Sequence, residues 1–452
     1  MTTLPLLPGY DTCKTLAWRN GRGVSQAEFL ADALALASRL PDTGHVFNLC
    51  KDRYWFSVAL FAAISRGIVS LLQNSTAPKN MAALYADFPD AICVGEPDTA
   101  VPEHMPHVPV SQAGRPDFTA PLVVPQIPHR QVIARIFTSG STGTPQAHTM
   151  RFGRMVHCAI AEAQRMWETV GQPCAVLGTV PPQHMFGLEA TVLLPIFGGG
   201  QLSAGQPFFA ADVASALAEL PKPRLLVTTP FHLRKLMDAN IKLPRVSAVL
   251  SATAPLSLEL AQEVEAQLQA PMVEIYGSTE TGALATRRPT RGTDWLTYSG
   301  ITLQTDDQQT RAFAEHFDVP QLLNDVVELI SPSQFRLLGR NSDMINIVGK
   351  RNSLAFLNQL LQSLPGVEDG VFYMHEGTSH QESESPRLLA LVVAPKLQHK
   401  SADILAALRQ HVDAVFLPRP LLFVDTLPRD ANGKLSAVAL AELIASHLNA
   451  RH

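Results

Sequence analysis

The stretch IFTSGSTGTPQAH, Ile136 to His148, places the hydroxyls of Thr138, Ser139, Ser141, Thr142 and Thr144 around Gly140 and Gly143 and closes on a proline. Successive small residues let backbone N–H groups turn toward one point, and serine and threonine hydroxyls add donors, so the loop is a natural cradle for an anion such as phosphate. It is not a Walker-type loop, because no GxxxxGK[ST] string is present. A plain surface turn is the competing reading, yet a turn seldom needs five hydroxyl residues between RIF and a proline.

Outward from this loop, apolar runs and helical patterns alternate. DALALASRL reads as helix, HVFNLC as strand, FSVALFAAISR as helix and GIVSLL as strand; AADVASALAEL leads to RLLVTTP, and LELAQEVEAQL to MVEIYG. The alternation predicts an α/β fold, a large N-terminal domain of layered and largely parallel sheets flanked by helices. The most apolar window, Phe56 to Leu72, contains Arg66 and Gly67 and is shorter than the ~20 residues of a membrane span; it reads as a buried helix running into a strand. After about Leu338 the texture changes. QFRLLGRNSDMINIVGKR reads as strand, turn at Gly339 to Ser342, and strand, after which helices such as LAFLNQLLQSL and ADILAALRQHV alternate with strands such as LLALVVA. The expected division is an N-terminal core over 1–340 and a small, mobile α+β domain over 343–452, with a hinge between them.

Composition narrows the partner. The 452 residues are 46% hydrophobic and 17% charged, with a formal net charge of -4, which leaves no electrostatic footprint for nucleic acid or an anionic membrane and points to a small molecule. Five cysteines, at 13, 50, 93, 158 and 174, form no CxxC pair, so neither a disulfide framework nor a thiolate zinc site is expected, and a reducing cytoplasm fits. The opening MTTLPLLPGYDTCK lacks the basic flank and apolar run of a signal peptide. No GxSxG elbow and no HExxH pair is present, and HEGTSH at 375–380 reads as solvated surface.

Three further stretches share the register of the first. YGSTETG, Tyr276 to Gly282, follows the strand MVEI and supplies an aromatic ring, glycines for close approach, Thr279 and the carboxylate of Glu280. LLNDVVELISPSQFRLLGR sets Asp325 fifteen residues before Arg340, and LPRDANGKLS presents Lys434 on a tight turn. Together the four stretches resemble the adenylate-forming superfamily of acyl- and aryl-CoA synthetases, nonribosomal-peptide adenylation domains and luciferases, over nearly the whole chain. In motif style the chain looks most like stand-alone aryl or acyl acid ligases of aryl-polyene and xanthomonadin-type pigment clusters.

The resemblance implies roles. Thr138, Ser139, Gly140, Ser141, Thr142 and Gly143 would hold the ATP phosphates; Tyr276, with Gly277 and Ser278, would meet adenine; Thr279 and Glu280 would bind phosphate and Mg²⁺; Asp325 and Arg340 would hold the ribose; Lys434 would bridge the reacting carboxylate and the α-phosphate. VPPQHMFGLE resembles the segment beside the acyl pocket and offers His184, LSATAPLS offers Ala252 and Thr253, and Ser278 completes the pocket. GKR at 349–351 resembles the thiol-channel segment, with Arg351 toward the acceptor or a phosphate.

Two departures stand out. Where the family continues its loop as Pro-Lys-Gly, this chain has Pro145, Gln146 and Ala147, a neutral donor in place of a mobile cation. LLNDV stands where the family has Tyr-x-Thr-Gly-Asp, and Ser342 stands at the hinge position that is usually charged, with Asp343 as its neighbour. The implied reaction is ATP-dependent formation of an acyl- or aryl-adenylate, then transfer to a phosphopantetheine thiol, on an acyl carrier protein by preference or on CoA. A hydroxybenzoate- or cinnamate-like acid is the first substrate choice. The rivals are a fatty acyl-CoA synthetase and a non-catalytic adenylate-binding scaffold, the latter motivated by Gln146.

Overall fold

The computed structural model describes residues 2–73, 78–102, 104–112, 115–119, 121–139, 145–239, 241–306, 309–340, 344–347, 350–375, 387–397, 400–429, 435 and 437–449. The α/β alternation read from the sequence is present. Two large sheets carry the N-terminal part. A six-stranded sheet runs in the order Pro145–Arg151, Val132–Ser139, Val69–Leu72, His45–Asn48, Ile92–Gly95 and His107–Pro109, parallel throughout except for its first pair. An eleven-stranded sheet has a parallel centre, Met272–Ser278, Ala248–Ser251, Arg224–Thr228, Ala175–Gly178, Gln201–Ser203 and Thr15–Arg19, with antiparallel strands added at both ends.

Helix Gln26–Arg39 starts where Ser25 and Glu28 cap each other reciprocally, a pairing that satisfies two donors left open at a helix start. Helix Arg53–Arg66 is capped by Asp52 and ends at Gly67, whose φ of 71° is left-handed; strand Val69–Leu72 follows at once, as the Phe56–Leu72 window predicted. Every residue from Arg53 to Ile64 is buried, because this helix is packed on all sides and needs no polar face. One continuous cluster of buried side chains joins both helices to both sheets. Arg53, 0% exposed, links helix to sheet by donating to the carbonyls of Ser203, Gly205, Gly178 and Val180. Burial brings its guanidinium down to about 10, so it stays charged at neutral pH, solvated by those four carbonyl dipoles.

From Ile345 onward the buried side chains form two clusters of their own, around the strands Asp369–His375, Arg387–Val393 and Leu421–Phe423 and helices Leu354–Ser363, Ser401–Leu408 and Ala437–Asn449. One local reading needs correction. The turn expected from Gly339 does not begin there: strand Gln334–Arg340 runs on through Arg340. Leu338 is an extra residue in the pairing, since Val326 faces Gly339 while Val327 faces Leu337. Gly339, at φ 144°, takes the bulge instead of a turn, a role for which glycine is equally suited. Residues 341–343, including Ser342 and Asp343, lie outside the described residues, as do 376–380 of HEGTSH. No helix among the described residues is long and apolar enough to cross a membrane.

Candidate active site

Most of the candidate residues stand at the carboxyl ends of strands in the two large sheets. Tyr276, Gly277 and Ser278 end strand Met272–Ser278; Ala252 and Thr253 directly follow its parallel neighbour Ala248–Ser251; His184 comes shortly after Ala175–Gly178, two strands further on. In the other sheet, the Ser139 end of Val132–Ser139 leads into the hydroxyl-rich loop. All of these are carboxyl ends of strands in parallel ladders, the edge at which open α/β sheets bind ligands.

The loop itself, with Gly140, Ser141, Thr142 and Gly143, lies outside the described residues, and so does the side chain of Ser139. Its frame is defined. Ser139 faces Pro145 and Thr138 faces Gln146 in an antiparallel pair, so both ends of the loop leave from one point. The Thr138 hydroxyl and His148 Nε2 are 3.0 Å apart, a contact the sequence did not single out although His148 is the last residue of the opening stretch. Gln146 is exposed.

The Tyr276–Gly282 segment is a tight hairpin. The ladder shifts register between Tyr276 and Gly277, and a β-carbon on Gly277 would lie 2.2 Å from the Gly282 carbonyl oxygen; only glycine allows the two strands to approach this closely. Thr281, buried and unremarked in the sequence, ties the turn: its hydroxyl accepts from the Ser278 N–H at 3.0 Å and donates to the Gly282 carbonyl at 2.8 Å. That leaves Ser278 and Glu280 exposed and Thr279 half-exposed at the tip. Arg154, another residue outside the sequence reading, donates to the Glu280 carbonyl.

Asp325 and Arg340 are cross-strand partners, and Tyr276 Oη donates to Asp325 Oδ2 at 2.7 Å. The Tyr276 ring packs on Trp295 and Phe335, with centroids 5.7 and 5.3 Å away. His184 sits at the head of helix Met185–Leu188 and donates its N–H to the Pro181 carbonyl at 3.3 Å; Gly187 permits this close turn, since a β-carbon there would come 1.9 Å from the same oxygen. Thr253 has φ of 81°, a left-handed conformation costly for a β-branched residue and typical of strained functional loops. Arg351 lies in strand Lys350–Ser353, facing Asn346. The side chains of Arg340 and Arg351, and all of Lys434, lie outside the described residues.

Behind the hairpin is an ionisable cluster. Glu162 and Glu189 are buried at 0% and 3% exposure. Burial and the charge of Glu189 push Glu162 well up, and burial lifts Glu189 to about 7 against the opposing pull of Arg154. Helix Phe152–Val170 brings Arg154, Cys158, Glu162 and Arg165 onto one face, a spacing of four, four and three that was legible as a helical stripe.

Residues 13–311, more than half of the chain, match the AMP-binding enzyme family. The chain belongs to that family. Among curated relatives, a 4-coumarate–CoA ligase of Rhodobacter capsulatus is 29% identical over 231 residues, 51% of this chain and 58% of that protein. The 4-coumarate–CoA ligase of Halorhodospira halophila is 28% identical over 308 residues, 66% of this chain and 73% of that one. The chain thus spans less than two-thirds of the first of these and more of the second. In fold it is similar to the o-succinylbenzoate CoA synthetase of Bacillus subtilis in complex with its acyl-adenylate intermediate, with TM-score 0.80, 17% identity and 98% of each chain covered. An anthranilate CoA ligase in complex with anthranoyl-AMP matches with TM-score 0.78 at 16% identity over 99% of both chains.

Proposed function

We propose that this enzyme is an AMP-forming acid–thiol ligase that adenylates a small aryl acid of the hydroxybenzoate or cinnamate type. It then passes the acyl group to a phosphopantetheine thiol, on an acyl carrier protein by preference or on CoA. The observation that carries this reading is the convergence of Tyr276–Glu280, Ala252, Thr253 and His184 on one carboxyl edge, with Asp325 tied to Tyr276 beside them. The names of the sequence relatives, 4-coumarate–CoA ligases, support both the aryl acid and the pantetheine chemistry.

A carboxylate is a poor acyl donor because its leaving group would be oxide. In the first half-reaction a carboxylate oxygen forms a bond to the α-phosphorus of ATP while the bond to the bridging oxygen breaks and pyrophosphate leaves. Residues 138–143 cradle the phosphates, Asp325 and Arg340 hold the ribose, and Tyr276, Gly277 and Ser278 meet the adenine. Thr279 steadies the phosphate chain, and His184, Ala252, Thr253 and Ser278 shape the acid pocket. Lys434 neutralises charge between carboxylate and α-phosphate, and the loop amides do the same at the phosphates; catalysis is positioning plus charge stabilisation. An exposed carboxylate such as Glu280 suits Mg²⁺, which takes one or two carboxylates together with substrate phosphates and waters and, when bound, offsets phosphate charge. The core over 1–340 binds ATP and acid, and the domain over 343–452 is the lid that brings Lys434 for adenylation and Arg351 for thiol transfer. A cytoplasmic setting suits its ATP and its five free cysteines.

The test is carboxylate-dependent exchange of labelled pyrophosphate into ATP across a panel of aryl, fatty and amino acids. Exchange with aryl acids above the others is expected. Exchange with no acid would favour a non-catalytic scaffold, and exchange with long aliphatic acids alone would favour a fatty acyl ligase.

A further inference from the structure

In the proposed reaction the ATP phosphates meet two segments that stand on different sheets. The hydroxyl-rich loop returns through strand Pro145–Arg151 of the six-stranded sheet, whereas Thr279 and Glu280 follow strand Met272–Ser278 of the eleven-stranded one. Ladder hydrogen bonds order strands within a sheet and leave the spacing between sheets to side chains. Arg154 spans the gap. Strand Pro145–Arg151 runs directly into helix Phe152–Val170, and from the first turn of that helix Arg154 Nη2 donates to the Glu280 backbone carbonyl.

The arginine is itself aimed. Its Cζ lies over the Phe317 ring, 5.1 Å from the centroid, and Phe317 is buried, a setting in which cation–π attraction is strongest. The residues on either side of Phe317 grip the same helix: Asp318 Oδ2 pairs with Arg151 Nε at 2.9 Å, His316 Nε2 lies 3.6 Å from Cys158 Sγ, and the His157 and His316 rings stack at 5.9 Å. Residues 151, 154 and 158 share one helix face and meet 318, 317 and 316 in turn, so the guanidinium is packed before it reaches the hairpin. Arg154 Nε is buried without a hydrogen-bond partner among the described residues, a cost that native structures seldom carry and that marks the side chain as placed for its far end.

We infer that Arg154 is a positioning residue for adenylation, tying the tip of the Tyr276–Gly282 hairpin to the helix that continues the loop's return strand and so holding Thr279 and Glu280 at a set distance from the phosphate loop. A planar, charged fork fixes direction as well as distance, and a bond to the main chain locates residue 280 whatever its side chain does. Mg²⁺ demands near-ideal octahedral geometry, so a carboxylate on an exposed tip serves only when that tip is held. The inference rests on the ligase reading, with Glu280 toward Mg²⁺, and adds how two halves of one phosphate site on separate sheets are kept together.

The experiment measures ATP dissociation constants of the full-length protein by calorimetry, in excess Mg²⁺ and in EDTA, alongside acid-dependent pyrophosphate exchange, for wild type, Arg154→Met, Glu280→Gln and the double variant. Wild type is expected to bind ATP about 10-fold or more tighter with Mg²⁺ than without, the scale on which groups that orient a metal ligand act. Arg154→Met should bring that ratio to within about threefold of one, leave the Mg²⁺-free constant and the KM for the acid within about threefold of wild type, and lower the exchange kcat roughly 10- to 100-fold. The double variant should lose no more exchange than Glu280→Gln alone, because the arginine acts through the residue already removed; a merely structural arginine would add its own loss and weaken Mg²⁺-free binding as well. Arg154→Lys, which keeps the charge without the planar fork, should lower the same ratio by a smaller factor and keeps the test open where Arg154→Met does not fold. An unchanged Mg²⁺ ratio in a folded Arg154 variant, or losses that add in the double variant, overturn the inference alone. A wild-type ratio of one removes the Mg²⁺ role of Glu280 and the inference with it. The expected ratios without exchange from any acid uphold the tie between Arg154 and the hairpin and overturn the ligase reading instead.

Discussion

Asp325 stands directly opposite Arg340 across two antiparallel strands, and its carboxylate accepts a hydrogen bond from Tyr276 at 2.7 Å. Three strands intervene in the sheet between the strand of Asp325 and that of Tyr276. In a flat sheet four steps of pairing would separate them by about 19 Å. The sheet must therefore curl back at this end, with Trp295 and Phe335 filling the concave side against Tyr276. A ribose held by Asp325 would sit beside the adenine end of the hairpin. Asp325→Ala should raise the KM for ATP at least ~10-fold, the scale of a lost hydrogen bond to a charged group. Tyr276→Phe, which keeps the packed ring, should raise it only about threefold. Initial rates of pyrophosphate exchange against ATP concentration decide, and equal KM values in wild type and Asp325→Ala would remove the ribose role.

Gln146 is exposed and paired with Thr138 at the root of the hydroxyl-rich loop. Charge-assisted donors are roughly twice as strong as neutral ones, so Gln146→Lys should lower the KM for ATP several-fold or raise the exchange rate. Unchanged or impaired ATP kinetics would mean that the loop is built around glutamine.

The pair Glu162 and Glu189 makes a prediction about pH. Both carboxyls are held above the ordinary range, by burial first, so the folded protein keeps protons that the unfolded chain releases above about pH 4.5. Stability from this pair is therefore fully present below that pH and declines as pH rises toward 7, at roughly 1.4 kcal/mol per unit for each proton retained. His316, lowered to about 4 by burial first and then by His157, Arg154 and His129, acts oppositely: its contribution is present above about pH 6.5 and is lost as pH falls toward 4. The comparison is accordingly between proteins. Urea midpoints from pH 5 to 8 should fall more steeply with rising pH for the wild type than for Glu162→Gln, and parallel curves would show that the pair is not protonated in the fold.

Under the proposed mechanism, Lys434 separates the two half-reactions. DANGK places the turn-forming pair Asn-Gly before the lysine in sequence, which suits a lid that delivers one cation to the point where carboxylate meets α-phosphate. Removing one preorganised charge donor costs roughly 10²- to 10³-fold, so Lys434→Ala should nearly abolish acid-dependent pyrophosphate exchange. Supplied acyl-adenylate should still be converted to thioester at a rate close to wild type, because AMP leaves without that lysine. Equal loss in both assays would remove the two-state mechanism.

Local order was legible in the chain because its signals are local. The alternation of apolar runs with helical stripes announced parallel layers, and the apolar window at Phe56–Leu72 announced a helix with no exposed face; Tyr276–Glu280, Asp325 and Arg340 lie in two of the stretches whose resemblance to the adenylate-forming superfamily implied a nucleotide site. Other features depend on backbone geometry and on distant partners. The bulge that carries strand Gln334–Arg340 past Gly339 is set by its pairing with Asp325–Ser331. Thr281 acquires its role only when the hairpin closes on Gly277. Glu162 and Glu189 lie on separate helical segments, and no pattern in either one marks them as a pair. A propensity or a motif acts over a few residues, whereas burial, orphaned hydrogen bonds and the repulsion of two carboxyls arise only once packing brings distant segments together and excludes water from between them.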